Sequence, residues 1–351
     1  MRLLILTQKV DRNDDLLGFF HRWIEEFAKQ GELVHVICLE KGNHDLPPNV
    51  HVHSLGKELG VSKFTQIVRF FRYIVRLRNE YDSVFVHMNP EYIVFAGWYW
   101  RLIGKRISLW YTHREVNAKL RIAHFFSDVV FSASGFSFGI KSAKLQVVGH
   151  GIDIEQFACE GKRKEIGEVK IICVGSLRPI KHQEVLIKAA AILKEKWNRS
   201  FSVSLIGGAS PGNEKFTDEL KELARSFDVT DIVQFVGSVP NAEMPAYYCD
   251  ADMSVNLCPD GGIDKAVIES MAAGNLALVS NRAFGPYLAP YVNDLLFEQE
   301  NVEHLANQII ALYERNNREQ IAVTLKETAK RDFSIEKLIP KIVGVLGQHA
   351  M

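Results

Sequence analysis

The residues best suited to chemistry lie between Pro259 and Ser280, P-D-G-G-I-D-K-A-V-I-E-S-M-A-A-G-N-L-A-L-V-S. The stretch reads as loop, helix, stop and strand. Gly261 and Gly262 let the backbone approach a ligand closely. Asp264 is placed to cap a helix whose apolar side is Ala266, Val267, Ile268 and Met271. Gly274 ends that helix, and Leu276–Val279 reads as the next buried strand. A helix start carries free N–H groups and suits a phosphate. Asp260, Gly261, Gly262, Ile263, Asp264, Lys265 and Ala266 therefore form a candidate loop for a phosphorylated ligand. Glu269 stands about one and a half turns into the helix. A carboxylate there can accept hydrogen bonds from both hydroxyls of a ribose. The same pattern also fits an ordinary α/β helix with a solvated glutamate.

Other candidates stand where predicted strands end. Lys170–Val174 is followed by G-S-L-R-P-I-K, in which Arg178 and Lys181 can neutralise a diphosphate. Solvated surface cations are the alternative reading of that pair. Gly207-Gly208 follows Phe201–Ile206 and permits close backbone approach. His113 follows Ile107–Thr112, and His87 closes Val84–His87. A histidine at a strand's carboxyl end is better placed for a ligand than one on a helix, although a backbone hydrogen bond would explain either. His150, in Gly149-His150-Gly151, reads as part of a turn.

These sites need elements to hold them. Arg2–Leu6, Leu16–Gln30 and Leu33–Cys38 open the chain as strand, helix and strand, without G-x-G-x-x-G spacing. Val50–Ser54, Val84–His87, Ile107–Thr112, Val129–Ser132 and Lys144–Val148 continue the strands. Lys162–Glu168 is charged and reads as a linker. A second series follows: strand Lys170–Val174, helix His182–Trp197, strand Phe201–Ile206, helix Asn213–Phe227, then strands Val233–Val236, Met253–Leu257 and Leu276–Val279. Val302–Tyr313 and Ile335–Leu346 read as terminal helices. Alternating strands and helices predict parallel, doubly wound sheets in two Rossmann-like halves with a cleft between them. Ligands in such sheets bind at the carboxyl ends of strands.

Composition agrees with this architecture. A chain of 351 residues, 47% hydrophobic and 24% charged, suits two globular domains. Zero net charge gives no global pull toward nucleic acid. Five scattered cysteines show neither metal spacing nor a disulfide framework, which predicts a reducing, cytoplasmic setting. The Asn198-Arg199-Ser200 sequon carries no meaning there. The Met1–Leu6 run reads as a strand rather than a signal segment. No run reaches membrane-spanning length.

Lys63–Asn79 stands apart. Phe64, Ile67, Val68, Phe71, Ile74 and Val75 form a broad apolar face, and Lys63, Arg69, Arg72, Arg76 and Arg78 supply positive charge without an acid among them. Such a helix can rest on an anionic membrane surface, or it can be a core helix with a solvated basic side. Trp98-Tyr99-Trp100-Arg101 adds interfacial residue types nearby.

Taken in order, these features resemble the retaining nucleotide-sugar glycosyltransferases of the GT-B fold, the group 1 family. Gly151-Ile152-Asp153 through Phe157 is similar to its G-x-D-x-x-x-F junction. Gly175-Ser176-Leu177 through Lys181 is similar to its G-R-L-x-x-x-K loop. Phe235-Val236-Gly237-Ser238-Val239 and Glu269-Ser270-Met271-Ala272-Ala273-Gly274 resemble two further elements. The resemblance implies an acceptor-binding domain at 1–160, a nucleotide-sugar domain at 161–332, and a helix over 333–351 crossing back to the first. It implies transfer of a sugar from a nucleoside diphosphate to an acceptor hydroxyl of a sugar or lipid-linked molecule, with retention and without a metal or other cofactor. Lys181, Arg178 and the helix start would take the diphosphate charge, Glu269 the ribose, and Val236-Gly237 the base. His113 would stand by the reacting sugar, making His113, Lys181 and Glu269 the catalytic set. Three positions depart from the pattern. Gly261 stands where the family has a first glutamate, leaving Asp260 or Asp264 for the sugar. Ser176 replaces an arginine, and Gly18-Phe19 replaces a glycine pair. An epimerase on the same fold and a non-catalytic nucleotide-sugar-binding protein remain open alternatives.

Overall fold

Two parallel sheets, each with its own core, organise the chain. The computed structural model describes residues 1–14, 16–159, 167–210 and 212–347. Contacts divide the chain into Met1–Gly151 with Ser334–Met351, and Ile152–Phe333. The division therefore falls earlier than the expected boundary after residue 160. Ile152, Ile154 and Phe157 are buried in the second core, which draws their segment into that unit. Phe333 is buried there too, so the first unit resumes at Ser334. The expected linker at 162–168 lies mostly outside the described residues.

The first unit holds β1 (Arg2–Val10), β2 (Leu33–Lys41), β3 (Val50–Ser54), β4 (Ser83–His87), β5 (Arg106–Trp110), β6 (Val129–Ser132) and β7 (Leu145–Val147). They form one parallel sheet in the order β3-β2-β1-β4-β5-β6-β7. Its helices are α1 (Gly18–Gln30), α2 (Lys63–Arg76), α3 (Glu91–Leu102) and α4 (Ala118–Phe126). Strand alternation splits the core. Leu3 and Ile5 pack with α1 and the C-terminal helix Ile335–Gly347, whereas Leu4 and Leu6 pack with α2, α3 and α4. Both faces are covered, which is why β1 and β4 are nearly continuous apolar runs.

The second unit holds β8 (Val169–Val174), β9 (Phe201–Ile206), β10 (Val233–Gly237), β11 (Met253–Asn256) and β12 (Leu276–Val279), parallel, in the order β10-β9-β8-β11-β12. Its labelled helices are α5 (Gln183–Lys196), α6 (Glu214–Ser226), α7 (Met244–Asp250) and α8 (Lys265–Ala273). Among the helices that escaped the sequence reading are α7 and Arg318–Asp332. Helix α7 is short and buries only Met244 and Tyr248. Arg318–Asp332 is largely charged and buries a narrow stripe of Ile321, Leu325, Thr328 and Ala329. The expectation of no disulfide is corrected: Cys159 and Cys249 are bonded, with Cα atoms 5.5 Å apart. They are 90 residues apart in sequence, so local spacing gave no sign of the pair. The cysteine argument for a reducing compartment falls with it.

Strand order reverses between β1 and β4 in the first sheet and between β8 and β11 in the second. Crevices beyond the carboxyl ends at such reversals are the usual ligand sites of open α/β sheets.

Candidate functional site

In the second unit the reversal brings together the loops after β8 and β11. Lys181 closes the first loop, in the 3-10 turn Pro179–Lys181. Its Nζ lies 2.6 Å from Asp264 Oδ2 and 3.1 Å from Cys258 Sγ. Asp264 is the N-cap of α8, as expected, and its Oδ1 accepts from the Ala266 N–H at 3.3 Å. Asn256 at the end of β11 donates to Oδ2 at 3.2 Å. The Asp264 carboxylate thus holds both the lysine and a helix-start N–H, the two features expected of a phosphate slot.

Electrostatics follow from this packing. Burial works against the Asp264 charge, but Lys181, Cys258 and Asn256 together bring its carboxyl down to about 2. Burial likewise opposes the Lys181 charge, and Asp264 outweighs it, so the ammonium is held above its ordinary range. Burial pushes the Cys258 thiol up to about 11, keeping it a neutral donor to Asp264.

Glu269 lies on α8 with 8% of its surface exposed. Its Oε2 accepts from the Tyr248 hydroxyl at 2.8 Å. Burial raises the Glu269 carboxyl, while Tyr248 and Lys265 oppose the rise. Burial lowers Lys265, against the pull of Glu269 and Asp264. Tyr248 is fully buried on α7 beside Cys249, edge-on to Phe157 at 5.7 Å, and its backbone carbonyl accepts from Asn275 at 2.9 Å. Tyr248 gave no sequence signal as a site residue, because a buried tyrosine on a short helix reads as core. Asn256 and Asn281 were missed because an asparagine at or just after a strand's end reads as a turn residue.

The glycine loop is pinned. Asn281, fully buried after β12, accepts from Gly261 N–H at 3.4 Å and donates to Gly262 carbonyl at 2.9 Å. A Cβ on Gly261 would meet little, the nearest atom being Pro259 O at 3.9 Å, so this backbone edge is open to a ligand. Ile263 packs into the core. Asp260 is engaged elsewhere: both its oxygens bind Arg282, whose backbone N–H and Nε donate at 2.8 and 2.6 Å.

Gly207 serves packing between strand ends. It has φ of +146°, and a Cβ there would stand 2.1 Å from Gly175 O. Its N–H donates to Gly237 O at 2.8 Å. Val236 is the extra residue where the β9–β10 register shifts, and Gly237 has φ of +86° with open space around it. Ser176 carbonyl accepts from Gln183 at 3.1 Å. Arg178 is exposed and, among the described residues, has no ion-pair partner.

In the first unit His113 is exposed in the loop after β5, edge-on to Tyr111 at 5.7 Å. His87 is 3% exposed, stacks on Phe20 at 4.0 Å and faces Thr7 Oγ1 at 3.4 Å, so it belongs to the core. Gly18 begins α1, where its N–H donates to Asp14 O at 3.0 Å and a Cβ would crowd Arg12 O. On α2 only Phe70 and Ile74 are buried, while Phe64, Ile67, Val68 and Val75 face outward. Among the described residues no helix is long and apolar enough to cross a membrane, and no cluster of His, Cys, Asp and Glu could hold a metal.

Known proteins share this chain's sequence pattern and fold. Residues 158–331 match the sequence profile "Glycosyl transferases group 1". A D-inositol 3-phosphate glycosyltransferase of Kineococcus radiotolerans is 34% identical over 33% of this chain and 29% of its own length. A GDP-mannose-dependent alpha-(1-6)-phosphatidylinositol monomannoside mannosyltransferase of Mycobacterium tuberculosis is 24% identical over 57% of this chain and 54% of its own. The chain thus spans well under two thirds of either relative. Anabaena HepE, solved with UDP and glucose, superposes with a TM-score of 0.78 at 18% identity, covering 99% of this chain and 100% of its own. The two parallel-sheet units are those of the GT-B fold.

Proposed function

Since residues 158–331 make this chain a group 1 glycosyl transferase, we propose that it moves a sugar from a nucleoside diphosphate to an acceptor hydroxyl with retention of configuration. The ion pair of Lys181 and Asp264 at the start of α8, at the sheet's reversal, carries this reading. An incoming diphosphate takes Lys181 and the helix-start N–H groups from Asp264, with Arg178 adding charge from the same loop. In this reading no metal or other cofactor is needed, because those groups take the leaving-group charge. Glu269, held by Tyr248, accepts the ribose hydroxyls, and the Val236-Gly237 backbone faces the base. His113 contacts the reacting sugar. Asp264 inherits the sugar contact that Gly261 cannot make, since Asp260 is tied to Arg282.

The acceptor is a sugar or a lipid-linked molecule, a glycolipid or polysaccharide precursor of the cell envelope. The outward apolar and basic residues of α2 support peripheral contact with an anionic membrane at its cytoplasmic face. Incubation with a panel of nucleotide sugars and amphiphilic acceptors tests the reading. Release of nucleoside diphosphate with a product of unchanged anomeric configuration is expected. A new sugar isomer without diphosphate release would make the protein an epimerase. Binding without turnover would make it a nucleotide-sugar-binding protein.

A further inference from the structure

At the carboxyl ends of β1, β2 and β4, beside the strand-order reversal of the first sheet, a cavity of about 480 Å³ lies under α2 and α3. Small-molecule pockets run from roughly 300 to 1,000 Å³, and they favour such reversals. Its wall is mainly apolar: Leu39, Leu55, Ile67, Phe70, Tyr92 and Phe95. Gln8, Gln66 and Asn89 add amides to the lining, but Gln66 already donates to the Val61 carbonyl at 3.2 Å and Asn89 to the His87 carbonyl at 3.1 Å, which leaves few free partners for the many hydroxyls of a sugar. The two charged groups at its edge are not equivalent. Glu91 is paired with Lys119 at 3.0 Å, whereas Lys63 has no ion-pair partner among the described residues. An apolar chamber with one spare cation complements an anionic amphiphile. Ile67 and Phe95 belong to the cavity wall and are also 38% and 44% exposed, so the cavity meets the outer surface there. That surface carries Phe64 and Val68 of α2 and Trp98 and Leu102 of α3.

The geometry points to this cavity as a binding site for the aliphatic chain of an anionic amphiphile, with Lys63 at the phosphate of its headgroup. The chain is that of the acceptor, an identification that rests on the lipid-linked reading above; binding of the chain itself does not.

Calorimetry of the full chain with n-alkyl phosphates of increasing length, below their micelle concentrations, tests the site. Affinity should rise about fourfold per methylene, the equivalent of ~0.8 kcal/mol, and level off once the cavity is full. Ile67→Trp fills the cavity from its half-exposed side and should weaken long chains about fifteenfold, the worth of roughly two methylenes, while sparing short ones. Lys63→Gln should weaken alkyl phosphates but not alkyl glucosides of equal length. Nucleoside diphosphate affinity and melting temperature, unchanged in both variants, confirm intact folding. A rise without plateau that Ile67→Trp leaves untouched would mean adsorption to the outer face and overturn the proposal, as would no binding at any length. Co-sedimentation with anionic vesicles separates the readings. Chain-length binding without co-sedimentation removes only the membrane reading, and co-sedimentation without a plateau removes only this one.

Discussion

Asp264→Asn and Lys181→Ala should move nucleoside diphosphate affinity in opposite directions. The two side chains are 2.6 Å apart, with 21% and 16% of their surfaces exposed. A diphosphate that uses Lys181 must draw it away from Asp264. A hydrogen bond to a charged group contributes about 1.5–3 kcal/mol, so removing the competing charge should tighten binding roughly ten- to a hundredfold. Lys181→Ala should weaken it by a similar factor and barely alter the matching nucleoside. The same pair sets a pH signature. The Asp264 carboxyl falls from 3.8 to about 2 on folding, a shift worth about 2 kcal/mol. Because the folded value is the lower one, that stability is present above pH 3.8 and is lost as pH falls through about 2. Lys181→Ala removes the strongest of the lowering influences. Its stability deficit in urea unfolding should therefore be greatest near neutral pH and shrink below pH 4. Isothermal calorimetry well below the melting temperatures gives the affinities. If Asp264→Asn weakens the diphosphate as much as Lys181→Ala does, the pair is scaffold rather than a slot awaiting an anion. A deficit constant from pH 7 to pH 3 would refute the electrostatic account.

Tyr248→Phe removes the 2.8 Å bond that opposes burial at Glu269, so the carboxyl should rise further and nucleotide affinity should begin to fall at a higher pH than in the wild type as the solution is acidified. Glu269→Gln should cost roughly ten- to a hundredfold in donor affinity and lose discrimination between ribose and 2′,3′-dideoxyribose; discrimination equal to wild type would end the ribose assignment. Replacing Arg69, Arg72 and Arg76 with Gln should remove about 3 kcal/mol of anionic-vesicle binding, about 1 per basic residue, and salt should release the wild type. A wild type that fails to pellet with vesicles at low salt would show α2 to be scaffold only. Thiol titration in denaturant without reductant should count three groups, Cys38, Cys173 and Cys258; a count of all five would deny the Cys159–Cys249 bond.

Much of the fold was legible because its causes are local. Val50–Ser54, Val129–Ser132, Phe201–Ile206 and Leu276–Val279 are strands with the expected ends: Val129–Ser132 and Leu276–Val279 are short, mainly apolar runs, and Val50–Ser54 and Phe201–Ile206 alternate with period two. Asp264 and Gly274 cap α8 as their types require, Gly274 at φ of +76°. Helix α7 was illegible because two buried side chains over about two turns make no periodic signal. The site divides along the same line. Types and spacing placed Lys181 in the loop after a strand, Asp264 at a helix start and Glu269 within that helix. Which partner each charge takes was decided only by tertiary structure. Lys181 and Asp264 are 83 residues apart, Tyr248 and Glu269 21, and Cys159 and Cys249 90. Those pairs meet because the order β10-β9-β8-β11-β12 sets β8 beside β11 and folds α7 against α8. Sheet order arises from the packing of whole strands against one another, and no local window of sequence contains that information.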